Sequence, residues 1–160
     1  MIIFGTVAGY PEKLATQCAP GIARSMDGWG YQHHVLASNK QEIFSLYDWL
    51  LSYAGDRIAL TALVLVHDDL EFLDTALSKK IGKIVADKDI AIAGLIGSKG
   101  ATSLAWWEGQ RYGRVTDDAY GLHDFAGFGS DVDSLDGMCL ILSPWACSHL
   151  RLKGIGYDGF

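Results

Sequence analysis

The sequence predicts an α/β domain organised around a mostly parallel sheet. Three observations carry that prediction. Strand-like and helical patterns alternate along the chain, the arrangement that lays helices over a parallel sheet. Residues 59–69 (ALTALVLVHDD) have the aliphatic continuity of a strand buried on both faces. Residues 41–54 gather Ile43, Phe44, Leu46, Tyr47, Leu50, Leu51 and Ala54 into one helical stripe.

The remaining elements follow in order. Residues 2–8 (IIFGTVA) are rich in β-formers and stop at Gly9, Tyr10 and Pro11, a strand followed by a turn. Leu14, Cys18, Ile22 and Met26 then recur every four residues, which predicts a helix over 11–26 with Pro20 placed to interrupt it. HHVLAS (33–38) predicts a second strand closed by Asn39 and Lys40, with Ser38 or Asn39 available to cap the next helix. After the buried strand at 59–69, Leu73, Leu77, Ile81 and Ile84 return to helical spacing across 70–86. IAIAGLIG (90–97) predicts another buried strand ending in glycine. Residues 98–130 are irregular and Gly-rich, with Trp106–Trp107 and an acidic stretch from Asp117 to Asp124. DGMCLILSPWA (136–146) predicts a last buried strand turned at Pro144. No repeat, low-complexity segment or linker divides the 160 residues, so a single domain is expected.

Composition narrows the function classes. Apolar residues make up 49% and charged ones 20%, which suits a globular chain and argues against disorder. A net charge of −6 and scattered basic residues disfavour nucleic acid, whose binding depends on clustered Lys and Arg. Cys18, Cys139 and Cys147 are odd in number and lack metal-type spacing, as expected of reduced thiols in a cytoplasmic protein. The N-terminus has no basic n-region, and no apolar run approaches the roughly 20 residues that span a bilayer, so no transmembrane segment is expected.

The chemistry concentrates where LVLVHDDLEF (63–72) passes from four aliphatic residues into His67, Asp68 and Asp69. In open α/β sheets ligands lie beyond the carboxyl ends of the strands, which would gather Thr6–Gly9, Ser38–Asn39, His67–Asp69 and Gly97–Lys99 around one cleft. His67 and Asp69 are two apart, so on a strand they would project to one side. Carboxylates at such a position suit Mg2+ or Mn2+ carried by a diphosphate, since these hard cations keep water and take only one or two protein carboxylates. The plainer alternative is that Asp68 or Asp69 caps the following helix. Trp106 and Trp107 offer stacking faces for a sugar or an apolar acceptor; alternatively one indole is core and the other covers it. His33, His34, His123 and His149 show no ligand spacing.

LVLVHDDLEF resembles the aspartate-rich, DXD-like segment of inverting glycosyltransferases of family 2, the GT-A type, here in an H-x-D form. The branch it resembles is that of the streptomycin-biosynthesis-type transferases. The opening IIFGTVAG, the helix QEIFSLYDWLLSYAG and the late segment VDSLDGMCLILSPWA agree with the resemblance in order and spacing. It implies a GT-A nucleotide-diphospho-sugar transferase fold, with a Rossmann-like, mostly parallel sheet and flanking helices. It further implies Thr6 and Val7 beside the nucleotide base, and Ser38 and Asn39 where many relatives place a uridine-contacting aspartate. Asp69 would be the main metal ligand, with Asp68 and His67 beside it. Asp136 would lie near the sugar or acceptor.

One departure concerns the catalytic base. Family 2 transferases usually carry a second acidic motif after the acceptor strand, whereas this chain ends at GIGYDGF with Asp158 its last acid. Either Asp158 substitutes or the base lies beyond Phe160, and the second reading is the one expected. The resemblance therefore implies metal-dependent, inverting transfer from a nucleotide-diphosphate sugar to a hydroxyl acceptor. The alternative is a nucleotide-sugar-binding module with little or no turnover. A Rossmann dehydrogenase is poorly supported, because no G-x-G-x-x-G follows the first strand.

Overall fold

The computed structural model describes residues 1–26, 28–37, 43–103, 105–125, 127 and 129–152. Among these described residues nine strands form two sheets. The first is mixed, with five strands in the order β2 (Tyr31–Ala37), β1 (Ile2–Ala8), β3 (Ala62–Val66), β9 (Cys139–Leu142) and β4 (Ile92–Gly94). The second has four strands in the order β7 (Gly121–Phe125), β6 (Gln110–Asp117), β5 (Ile96–Lys99) and β8 (Ser134–Leu135). Among the described residues only β1–β2 and β1–β3 pair in parallel; β3–β9, β4–β9 and every pair in the second sheet are antiparallel.

The expected mostly parallel, Rossmann-like sheet of the GT-A type is therefore not what this chain forms. The reason lies in what aliphatic continuity reports. Residues buried on both faces give the same pattern whichever way the neighbouring strand runs. β3 is buried at all five positions, with parallel β1 on one side and antiparallel β9 on the other.

Alternate residues of the central strands feed two apolar clusters, as the period-two pleat requires. Ile2, Phe4, Ala62, Val64, Val66 and Ile141 pack with Cys18, Ile22, Met26, Phe72 and Ile81. On the opposite face, Ile3, Leu63, Leu65 and Leu142 pack with Tyr47, Leu50, Leu51, Ala54 and Cys147. The first cluster is supplied by a helical arm and by α4 (Leu77–Ala86), the second by α3 (Ile43–Gly55) and α5 (Pro144–His149).

The helical arm runs over the predicted span, but not as one regular helix. A short turn, α1 (Pro11–Lys13), passes through a π-helical turn (Leu14–Cys18) into α2 (Ala19–Ser25). Pro20 cannot donate its nitrogen to the preceding turn, and the widened turn before it lets the arm continue through that gap. Helix α4 begins only at Leu77, so Leu73 lies outside it and is largely exposed.

Three other expectations are corrected. The predicted strand at 90–97 divides at Leu95 into β4 and β5, which belong to different sheets. The stretch 98–130 contains the β6–β7 hairpin and a 3-10 turn, Trp106–Glu108. Pro144 opens α5 rather than ending a strand in a turn; the Ser143 hydroxyl accepts the Ala146 N–H at 3.2 Å, a cap with proline at the first helical position. Among the described residues no helix is long and apolar enough to cross a membrane.

Candidate functional site

Parallel pairing of β1 and β3 brings their carboxyl ends together, and antiparallel β9 starts at the same end. β3 stops at Val66, and His67 to Leu70 form a turn closed by the Leu70 N–H on the His67 carbonyl at 3.3 Å. The His67 N–H donates to the Met138 carbonyl at 2.9 Å, which ties this turn to the approach of β9. Because His67 and Asp69 lie beyond the strand, strand geometry does not set their directions. The turn separates the two aspartates instead.

Asp68 turns inward. It is 5% exposed, and its carboxylate accepts the backbone N–H of Tyr10 just past β1. Asp69 turns outward, its side chain 41% exposed, with the Lys13 ammonium 3.5 Å away. Neither aspartate caps the next helix: Ala76 is the N-cap of α4, and the Ala76 N–H is taken by Asp74. The segment that follows is held by the helical arm. Arg24 pairs with Glu71, the Ser25 hydroxyl donates to the Phe72 carbonyl at 3.4 Å, and Gly21 lets the backbones approach. A Cβ at Gly21 would lie 2.8 Å from the Phe72 nitrogen.

A cleft of about 340 Å³ opens beside Asp69. Lys13, Gln17, Asp69 and Glu71 line one side, with Asp117 and Asp118 at the tip of the β6–β7 hairpin opposite. A larger cavity of about 850 Å³ lies elsewhere, along β4, β5 and the Gly127–Leu135 segment. Of the residues the sequence placed at a ligand cleft, Gly97 alone lines it, and its Asp133 carboxylate is engaged by the Gly100 N–H at 2.6 Å. The smaller cleft is the candidate because Asp69, just past the end of β3, lines it.

The other expected residues take varied positions. Thr6 is fully buried, its hydroxyl 3.0 Å from His33 Nε2. It has no exposed surface to offer a base, and Val7 packs in part against the α3-side cluster. Burial, and secondarily the charge of His34, lower the pKa of His33, which favours the neutral imidazole beside Thr6. Asp136 sits two residues before Met138, and one of its oxygens accepts the Met138 N–H at 2.8 Å. Trp106 and Trp107 cross edge-on with centroids 6.1 Å apart in the turn between β5 and β6; neither is fully buried, and neither lines the cleft. Gly97–Lys99, expected at the same cleft, forms β5 of the second sheet. Ser38, Asn39 and Asp158 lie outside the described residues.

Thiol chemistry is disfavoured here. Burial pushes Cys18 up to about 11, against a hydrogen bond from Thr6, and the negative charges of Asp68 and Asp69 add to the rise. The thiol therefore stays protonated at neutral pH and is a poor nucleophile. Burial likewise raises Tyr47 to about 12, with the charge of Asp68 adding to the effect.

Among the described residues no group of three His, Cys, Asp or Glu side chains is arranged to hold a metal ion. The donor set, one exposed carboxylate with a second buried behind it, does not fit a cation caged by protein alone. It does fit a hard divalent cation that arrives with a diphosphate and keeps several waters. Sequence reasoning missed Lys13, Gln17, Asp117 and Asp118. The signal for Lys13 was its place in the first helical turn after β1, beside the carboxyl end where ligands collect.

The Asp68–Tyr10 bond joins the end of β1 to the turn after β3, so Asp68→Ala strips the Tyr10 N–H of its partner. Denaturant unfolding should show a loss of about 1.5–3 kcal/mol, the usual worth of a hydrogen bond to a charged group. A change below about 0.5 kcal/mol would show that water replaces the carboxylate without cost.

No protein-family model matches the chain. The chain is similar to the streptomycin biosynthesis protein StrF of Streptomyces griseus, with 28% identity over 162 residues. The alignment takes in all of this chain and 56% of StrF, so the chain spans about half the length of that relative.

Proposed function

We propose that this chain binds a nucleotide-diphosphate sugar together with Mg2+ or Mn2+ at the exit of β3 and transfers the sugar, with inversion, to a hydroxyl acceptor. One observation carries the reading: a buried and an exposed aspartate stand on one tight turn where the carboxyl ends of β1 and β3 meet. The similarity to a protein named for streptomycin biosynthesis is in keeping with a biosynthetic enzyme.

In this reading Asp69 holds the cation, and Asp68 fixes the turn that presents it. The bound cation supplies Lewis-acid stabilisation of the departing diphosphate. Asp136, which the resemblance implies lies near the acceptor, would accept the proton of the acceptor hydroxyl on the oxygen that does not hold the Met138 N–H. As that proton leaves, the acceptor oxygen bonds to the anomeric carbon from the face opposite the diphosphate. The anomeric carbon–oxygen bond breaks, and the nucleoside diphosphate departs with the bonding pair.

The test is release of free nucleoside diphosphate from a panel of nucleotide sugars in Mn2+, measured with a library of hydroxyl acceptors. Acceptor-dependent release and a product of inverted anomeric configuration are expected. A product that retains the donor configuration would contradict the proposal. A second reading, a binding module without turnover, is favoured by the structural engagement of Asp136 in its own turn. Tight donor binding with no release from any acceptor would select it.

A further inference from the structure

The cleft beside Asp69 is poorly suited, by charge, to receive an anion. Asp69, Glu71, Asp117 and Asp118 line it, and Lys13 is the single cationic residue among the described residues that do. Two of these acids are already committed. Glu71 is paired with Arg24, and the Asp117 carboxylate accepts the N–H groups of Ala119 and Tyr120 at 2.7 and 3.0 Å. The charged groups left to meet a ligand are Asp69, Asp118 and Lys13.

Lys13 lies in α1, directly after the Tyr10 N–H that anchors Asp68, so the same short segment positions both the buried carboxylate and the ammonium. Its ammonium is 3.5 Å from Asp69, and both side chains are close to half-exposed, 49% and 41%. A pair this long and this wet contributes little to stability, so separating it costs little. The ammonium also stands where a cation bound to Asp69 would experience repulsion.

We propose that Lys13 is a diphosphate-binding residue that occupies Asp69 in the free protein and exchanges partners when ligand arrives. The inference rests on the functional reading above. With Asp69 holding the cation, Lys13 would swing on its flexible stem to a phosphate oxygen, acting as a point charge. No proton or bond is exchanged in the step; two ion pairs replace one. Lys13 thereby disfavours Asp69 binding a bare cation and favours the cation that comes with a diphosphate.

This assignment predicts effects of opposite sign from one substitution. In Lys13→Met, the affinity for a nucleoside diphosphate in Mn2+ should fall about tenfold, the scale of one charge-assisted hydrogen bond. The affinity for Mn2+ alone, read by electron paramagnetic resonance of free Mn2+, should rise by about two- to fivefold as Asp69 loses its competitor. Lys13→Arg should restore most of both. Loss of diphosphate affinity with unchanged or weaker binding of Mn2+ alone would mean that Lys13 merely supports the fold, and would overturn the exchange. If wild type binds diphosphate and Lys13→Met binds it equally well, the role of Lys13 fails while the functional reading stands. If wild type binds no nucleoside diphosphate at all, the functional reading fails and the role of Lys13 fails with it.

Discussion

Phe4→Ala should lower the stability of the domain by about 3–5 kcal/mol, the usual cost of emptying a buried aromatic site. Phe4 is fully buried in the middle of β1. Its ring meets Tyr31 of the neighbouring strand edge-on at 5.9 Å and Phe72 at 6.1 Å. The cavity would therefore open between the sheet and the segment leading away from the Asp68–Asp69 turn. For a chain of this length the loss corresponds to a fall in Tm of about 10 °C. Ile58, as apolar by sequence but fully exposed, is the control: Ile58→Ala should change stability by less than about 0.5 kcal/mol. A Phe4→Ala loss no larger than that of Ile58→Ala would contradict the packing described for the β1 face.

Asp69→Ala should weaken nucleoside diphosphate binding in Mn2+ by about 100-fold, since loss of groups that merely orient a metal ligand already costs 10- to 100-fold. The same substitution should leave stability nearly unchanged. Asp69 is exposed, and its partner Lys13 is free to return to water. This separates it from Asp68→Ala, which removes a buried acceptor and should reduce stability. In EDTA the Asp69 variant and wild type should bind alike, because no cation then links the carboxylate to the diphosphate. An Asp69→Ala protein that binds in Mn2+ as tightly as wild type would remove Asp69 from the site.

The sequence revealed the burial of this fold better than its direction. The runs IIF and LVLV belong to buried strands, and the stripe Leu46, Tyr47, Leu50, Leu51 and Ala54 is the buried face of α3, because apolar periodicity reports burial directly. Strand direction leaves no such mark, so Cys139–Leu142 could not be told from a parallel strand. The second sheet was hidden for a different reason. Its long strands, QRYGRVTD and GLHDF, are half-exposed and carry Gly113 at φ +103°, so neither apolar alternation nor β-propensity marks them. The division at Leu95 was also hidden, since Gly97, expected to end the strand, lies inside β5 where Ser134 approaches its backbone. At the candidate site the exit of β3 was legible as the place for chemistry. The opposite directions of Asp68 and Asp69 were not, because a β-turn, not the strand, sets them. Lys13 was invisible as a partner of Asp69, being 56 residues away in sequence and joined to it only through the packing of the helical arm.

The most direct test of the central claim is calorimetric titration of the wild-type protein with the uridine, guanosine, adenosine and thymidine diphosphates, each in Mn2+ and again in EDTA. At least one should bind in Mn2+, with affinity falling roughly 10- to 100-fold when the cation is removed. No binding of any of them in Mn2+, or binding of equal strength in EDTA, would contradict a metal–diphosphate site at the exit of β3.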